Sequence, residues 1–131
     1  MRKFFEELFN AGDLSVADEI VGANYLNHNA MPGEVPGREG LKAFVTSLRM
    51  SFPDLRLTVE DLIAEEDKVV TRFSASGTQR GEFAGIPATG RPVQISAINI
   101  HRLRDGQIHE AWLNWDVLGL MQQLGVLPRQ D

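Results

Sequence analysis

The dipeptide Asp105-Gly106 lies between two long runs of strand-forming residues, Val93–Leu103 and Gln107–Asp116. Asp-Gly supplies two adjacent positions that tolerate positive φ, as required by the tight hairpin turn whose twist matches that of its strands. The chain is thereby committed to a long antiparallel ribbon in its last third, and every other element has to pack around it. Just before this ribbon, the Gly/Pro-rich stretch Gly77–Pro92 reads as a loop.

A two-residue turn sets Arg104 opposite Gln107. Counting outward pairs Leu103 with Ile108, His101 with Glu110, Asn99 with Trp112, Ala97 with Asn114 and Ile95 with Asp116. Cross-strand partners share a face. One predicted face therefore shows Ile95, Ala97, Asn99, His101 and Leu103 beside Ile108, Glu110, Trp112, Asn114 and Asp116. The other shows Ser96, Ile98, Ile100 and Arg102 beside His109, Ala111, Leu113 and Trp115. A sheet covered by helices on one side ordinarily turns a clean apolar face inward, yet both faces are mixed. Some polar groups are therefore buried. For Asn99, Asn114 and Glu110 the plain reading is that they satisfy backbone groups at the sheet's mouth. Asp116 precedes an apolar helix, so it either caps that helix or stands at a pocket wall, where desolvation would raise its pKa toward neutrality.

Upstream the period is helical. Phe4, Phe5, Leu8 and Phe9 fall on one side of a helix stopped at Gly12, and Ser15 with Asp18 starts a second short one. Tyr25–Pro36 reads as loop. From Arg38, the residues Leu41, Phe44, Val45, Leu48 and Phe52 mark an amphipathic helix ending at Pro53. The period then changes to two: Leu55, Leu57 and Val59 form one strand and Val69–Ala75 its partner, across a turn at Glu66-Asp67 that sets Asp61 opposite Arg72. Leu118–Leu124 is a closing helix. Helices followed by an antiparallel sheet indicate one α+β domain over residues 1–131, its helices packed on one face of a curled sheet.

Composition narrows the function. The formal charge is −5, from 18 acidic and 13 basic residues with no basic run, which argues against nucleic acid as a partner. There is no cysteine, hence no disulfide, thiolate nucleophile or thiolate-bound metal. No two histidines have ligand spacing on one helix, so no metal site is predicted. Met1-Arg2-Lys3-Phe4-Phe5 runs at once into Glu6-Glu7, leaving no room for a signal-peptide core, and no membrane span is expected. A cytoplasmic protein is the resulting expectation. GxxxxGK[ST] is absent from the Gly/Pro loop, which argues against a phosphate cradle.

A set of short motifs in order carries a resemblance: Asn27-His28-Asn29 after a Tyr, Phe52-Pro53-Asp54-Leu55, Gly77-Thr78, Gly81-Glu82-Phe83, Gly85-Ile86-Pro87, Thr89-Gly90-Arg91, Asp105-Gly106-Gln107-Ile108, Trp112, Trp115-Asp116 and Gln123-Leu124-Gly125. Over nearly its whole length the chain resembles the SnoaL-like polyketide cyclase (ester cyclase) family of the nuclear-transport-factor-2-like fold. The resemblance implies a cone-shaped curved antiparallel sheet whose N-terminal helices close one apolar cavity, in a molecule that is commonly a homodimer. It also implies cofactor-free intramolecular aldol chemistry, with an aspartate as acid/base and a nearby histidine.

By motif position the catalytic aspartate falls on Asp116 and the histidine on His101, while His28 resembles a second pocket histidine. Asn99, Trp112 and Phe73 are expected at the substrate. The predicted register keeps His101 and Asp116 on the order of 20 Å apart, six residues along a strand, so His101 takes an auxiliary role unless a bulge intervenes. His109 is read as structural or exposed. The leading expectation is a cofactor-independent acid/base enzyme acting on a small hydrophobic carbonyl compound. Two alternatives accompany it: a non-catalytic binding protein for a hydrophobic ligand, and an enzyme like limonene-epoxide hydrolase using Asp61, Arg72 and Asp116.

Overall fold

A computed structural model of the chain describes residues 1–30 and 33–127. Its elements run in the order π-helix Phe4–Asn10, α1 Ser15–Ile20, β1 Val21–Asn27, α2 Gly37–Ser51, β2 Arg56–Glu65, β3 Lys68–Thr78, β4 Pro92–Arg104, β5 Gln107–Trp115 and α3 Val117–Gln123. The strands form one curved five-stranded sheet in the order β1-β5-β4-β3-β2, the expected α+β architecture. All pairings are antiparallel except β1 with β5.

The hairpins follow from their turns. Asp105 and Gly106 adopt φ of 51° and 76°, as a primed turn requires. Glu65 pairs with Lys68, and Asp61 stands opposite Arg72 as predicted. The opening helix is a π-helix, closed by Ala11 N–H donating to Glu6 O at 3.1 Å, and its widened turn buries Phe4, Phe5, Leu8 and Phe9 together. Arg49 of α2 donates to the terminal carbonyls of Phe9 (2.8 Å) and Asn10 (2.6 Å), which have no partner within their own helix. The Asn10 amide brackets Leu57, accepting from its N–H at 2.7 Å and donating to its carbonyl at 2.9 Å, which docks the π-helix on β2. The apolar stripe of α2 contributes Leu41 and Val45 to the same core.

Two expectations require correction. Val21–Asn27 lies within and just before the predicted loop Tyr25–Pro36 but forms a strand, β1, along the free edge of β5; residues 31–32 of that loop lie outside the described residues. The β4–β5 register also holds only as far as Leu103↔Ile108. His109 is an extra residue there, a β-bulge, after which Arg102 pairs with Glu110, His101 with Ala111, Asn99 with Leu113 and Ala97 with Trp115. Because side chains alternate with period two, this one-residue shift exchanges the faces of β5 beyond the bulge. The inner face becomes Ala111, Leu113 and Trp115, an apolar surface, while Glu110, Trp112 and Asn114 turn outward. Among the described residues, no helix is long and apolar enough to cross a membrane.

Candidate active site

Between the helices and the inner face of the sheet lies a cavity of about 190 Å³. Its walls are largely aromatic and aliphatic, with Phe5, Phe9, Phe44, Phe73, Leu113 and Trp115 among them. Phe73, expected at the substrate, does line this cavity, with its ring 4.9 Å from that of Phe5. Trp115, assigned to the opposite face by the predicted register, lines it too.

Besides Ser76, polar groups are gathered at this wall in two places. The first is the centre of the sheet. Asn99 and His101 are successive inward-facing residues of β4, and Thr71 of β3 is the direct cross-strand partner of Asn99. All three are buried, at 6%, 1% and 0% exposure respectively. Thr71 Oγ1, Asn99 Oδ1 and His101 Nδ1 have no hydrogen-bond partner in the protein. A buried polar group left unpaired costs about 1–3 kcal/mol, so the two that line the apolar cavity, on Asn99 and His101, mark a place built to receive polar atoms of a ligand, with Thr71 buried behind them. Burial, assisted by the positive charge of the N-terminus, pushes the His101 pKa down to about 4. The imidazole is therefore neutral at physiological pH, with the edge of Phe4 packed against it at 4.7 Å.

The second place is β1 and the loop after it. Tyr25, Asn27, Asn29 and Glu34 all line the cavity. Asn27 is level with Ala111, which is in turn level with His101. Asn29 is fixed by its side-chain oxygen accepting from Leu113 N–H at 2.6 Å, level with Asn99. Across two strand spacings, the two polar regions face each other at about 10 Å. Burial and the nearby Glu34 carboxylate both raise the Tyr25 phenol pKa, so it stays protonated.

Asp116, expected at the pocket wall opposite Ile95, is exposed and does not line the cavity. Its carboxylate instead caps α3, accepting from Gly119 N–H at 2.9 Å, while its own N–H donates to Ser96 O. The bulge at His109 is the cause of the misplacement. Asp116 also remains separated from His101 by most of the inner face, since His101 is level with Ala111 and Asp116 follows Trp115.

His28 and Trp112 also lie outside the cavity, on the outer face of the sheet. Their rings stack there, and His28 Nε2 donates to Glu110 at 2.8 Å. Arg72 and Asp61 form an ion pair at 2.6 Å with both side chains more than half exposed. The trio of Asp61, Arg72 and Asp116 is therefore not assembled in the cavity. Tyr25, Glu34, Thr71 and Trp115 were not predicted as site residues. Tyr25 and Trp115 carried a signal, as the residue ahead of Asn27-His28-Asn29 and as part of Trp115-Asp116.

The family model for SnoaL-like polyketide cyclases matches residues 1–124. Aklanonic acid methyl ester cyclase DnrD of Streptomyces peucetius is 33% identical over 125 residues, covering 91% of this chain and 84% of that protein. Among solved structures, TsrD from Streptomyces laurentii superposes with a TM-score of 0.90 at 37% identity, over 97% of this chain and 92% of that one. IdmH from Streptomyces antibioticus superposes with a TM-score of 0.79 at 36% identity, over 92% and 93% respectively.

Proposed function

This chain is a member of the SnoaL-like polyketide cyclase family, and on that premise we propose that it cyclises a hydrophobic polycarbonyl compound by cofactor-independent intramolecular aldol chemistry. The observation that carries this reading is the pair of unpartnered buried polar side chains, Asn99 and His101, set into an apolar cavity wall. An aldol closure removes a proton α to one carbonyl, joins that carbon to a second carbonyl and returns a proton to the alkoxide formed. The protein has to exclude water, fold the chain of the substrate and stabilise the charge that develops on oxygen. The apolar walls serve the first two needs.

The central polar group serves the third. The Asn99 amide N–H₂ and a neutral imidazole can each present a hydrogen bond to a carbonyl oxygen that is becoming an enolate or alkoxide. A neutral imidazole suits this role because it polarises the oxygen without first having to lose its charge. In this reading His101 and Asn99 orient the substrate and stabilise the oxyanion, and Phe73 is part of the wall it rests on. The chain acts as a homodimer without metal or nucleotide.

The test uses aklanonic acid methyl ester, the compound for which the DnrD relative is named, beside simpler aryl β-diketone methyl esters and an epoxide. Cyclisation gives a product of unchanged mass, whereas epoxide opening adds water. We expect isomeric product from wild type, with turnover falling by about 10²–10³-fold in His101→Leu, the range for loss of one oxyanion donor. Compounds that bind and are recovered unchanged from wild type would instead identify a ligand-binding protein.

A further inference from the structure

Taking this cyclase reading as its basis, we infer that Glu34, on the loop between β1 and α2, is the catalytic acid/base of the cavity, assisted by Tyr25. Aldol closure needs a proton acceptor at the nucleophilic carbon as well as donors at the enolate oxygen, on opposite sides of reacting carbons that themselves approach to about 3–3.5 Å. Asn99 and His101 of the central group supply the donors. None of its members is a good base: Thr71 and Asn99 have no accessible proton-accepting state, and His101 is held neutral by burial, which opposes its taking up a proton.

Glu34 is the one acidic side chain among the described residues lining the cavity. Asp116, the acid that the motif order selects, faces solvent and serves α3. Glu34 is half-buried and enters from the β1 side, where Asn27 and Asn29 stand level with His101 and Asn99 across about 10 Å, two strand spacings. That gap accommodates the enolised unit, with its α-carbon and the folded-back accepting carbonyl toward Glu34 and its enolate oxygen toward the central donors. The buried Tyr25 phenol feels the Glu34 charge, which places the two groups in one electrostatic environment.

The step balances within the substrate. The Glu34 carboxylate takes the α-proton and leaves an enolate. The enolate carbon forms the new C–C bond as the acceptor C=O π bond opens to an alkoxide. Glu34 then returns the same proton to that alkoxide and is regenerated as carboxylate. No redox partner or second substrate enters. Tyr25, fixed as a phenol, donates to the carboxylate or to the enolate and holds the ring-forming chain against the β1 wall.

Glu34→Gln preserves shape and removes only the proton-accepting function. With the substrates named above, we expect its kcat to fall by at least 100-fold with KM within about threefold, the scale of a lost general acid/base, and its melting temperature to match wild type. Tyr25→Phe is expected to lose about tenfold. Asp116→Asn, which retains a capping side chain, is the comparison variant and is expected to turn over within threefold of wild type. Wild-type turnover with an unimpaired Glu34→Gln would overturn the assignment and leave the cyclase reading standing. The same result with an inactive, folded Asp116→Asn would transfer the role to Asp116. A wild type that transforms none of the compounds would remove the cyclase reading itself, and the assignment with it.

Discussion

The His28 imidazole lies flat on the Trp112 indole, with ring centroids 4.6 Å apart and planes within 9° of parallel. The same imidazole donates to Glu110 at 2.8 Å, and Arg102 approaches Glu110 from the other side at 2.8 Å while lying 5.6 Å from the Trp112 ring. This outer-face cluster exists because the bulge at His109 turns Glu110 and Trp112 outward. It holds the free end of β1 to the sheet, since His28 N–H also donates to Ala111 O at 3.0 Å.

The His28 hydrogen bond holds the Glu110 carboxyl below its ordinary value of 4.5; burial opposes the effect and Arg102 adds to it. His28→Phe retains the stack and removes the donor. Carbon-detected NMR titration of Glu110 should show its pKa rising toward the ordinary value in that variant. A depressed carboxylate contributes stability that is present above the unfolded value and lost as pH falls through the folded one, so His28→Phe should narrow the difference in stability between neutral pH and pH 4. Because His28 lies outside the cavity, turnover should stay within threefold of wild type.

His101 gives a pH signal of the same direction in a higher window. Its pKa falls from 6.5 to about 4 on folding, so between those values the unfolded chain binds a proton that the folded chain refuses. Stability is therefore intact above pH 6.5 and is lost as pH falls toward 4, by about 3 kcal/mol at roughly 1.4 kcal/mol per unit. His101→Gln removes the titration. Urea unfolding at pH 7, 5.5 and 4 should show wild type losing about 3 kcal/mol more than this variant. Equal slopes would mean that His101 does not titrate as a buried imidazole.

The hairpins and the long helix were legible in the sequence because each is set by local chemistry. Asp105-Gly106 imposes its turn, the Glu66-Asp67 turn places Asp61 against Arg72, and Pro53 follows the end of α2. What stayed illegible depends on contacts distant in sequence. The bulge at His109 has no glycine to announce it, and it alone decides that Trp115 rather than Trp112 enters the cavity. β1 pairs in parallel with β5, more than 80 residues away, through an irregular register that leaves no clean alternation. Asn99, His101 and Phe73 line the cavity as the register implied, because they stand on β3 and β4, which the bulge in β5 does not shift. Asp116 and His28 were misplaced because their positions depend on β5 and β1.

Asp116 and Gly119 form a matched pair. Gly119 N–H donates to the Asp116 carboxylate, and a Cβ on residue 119 would collide with that carboxylate. Asp116→Ala should cost about 1 kcal/mol by loss of the cap, and Asp116→Asn a few tenths at most, since Asn caps as well as Asp. Gly119→Ala displaces a carboxylate that can swing away, so it should cost less than Asp116→Ala, alanine's helix propensity offsetting part of the lost cap. Denaturant unfolding of the three variants checks the order. A stabilised Gly119→Ala would show that the cap is dispensable.

Gly40 of α2 leaves no space for a side chain, because a Cβ there would overlap the backbone carbonyl of Val35. Backbone cannot swing away as a side chain can, so Gly40→Ala must displace the loop that carries Glu34. Overpacking of this kind costs typically 1–3 kcal/mol. Turnover should fall further than stability alone explains, because the folded fraction would present Glu34 out of line with the cavity.

Gln79 is fully buried at the root of the loop between β3 and β4. It donates to Ile86 O at 3.0 Å and accepts from Thr89 Oγ1 at 2.8 Å and Thr89 N–H at 3.2 Å, spanning the loop from inside. Phe83, carried by this loop, packs edge-on against Phe52 at 5.5 Å, and both rings line the cavity. Gln79→Leu fills the space but leaves these loop groups unpaired, at about 1–3 kcal/mol for each that stays buried. The loop should respond by opening to water. Amide exchange at residues 80–91 should accelerate in Gln79→Leu while exchange in β3 and β4 stays slow. Because Phe83 is a wall of the cavity and not a reacting group, the kinetic effect should be a raised KM with kcat within threefold of wild type. Exchange that accelerates across the whole sheet would instead place Gln79 among the groups that hold the fold together globally.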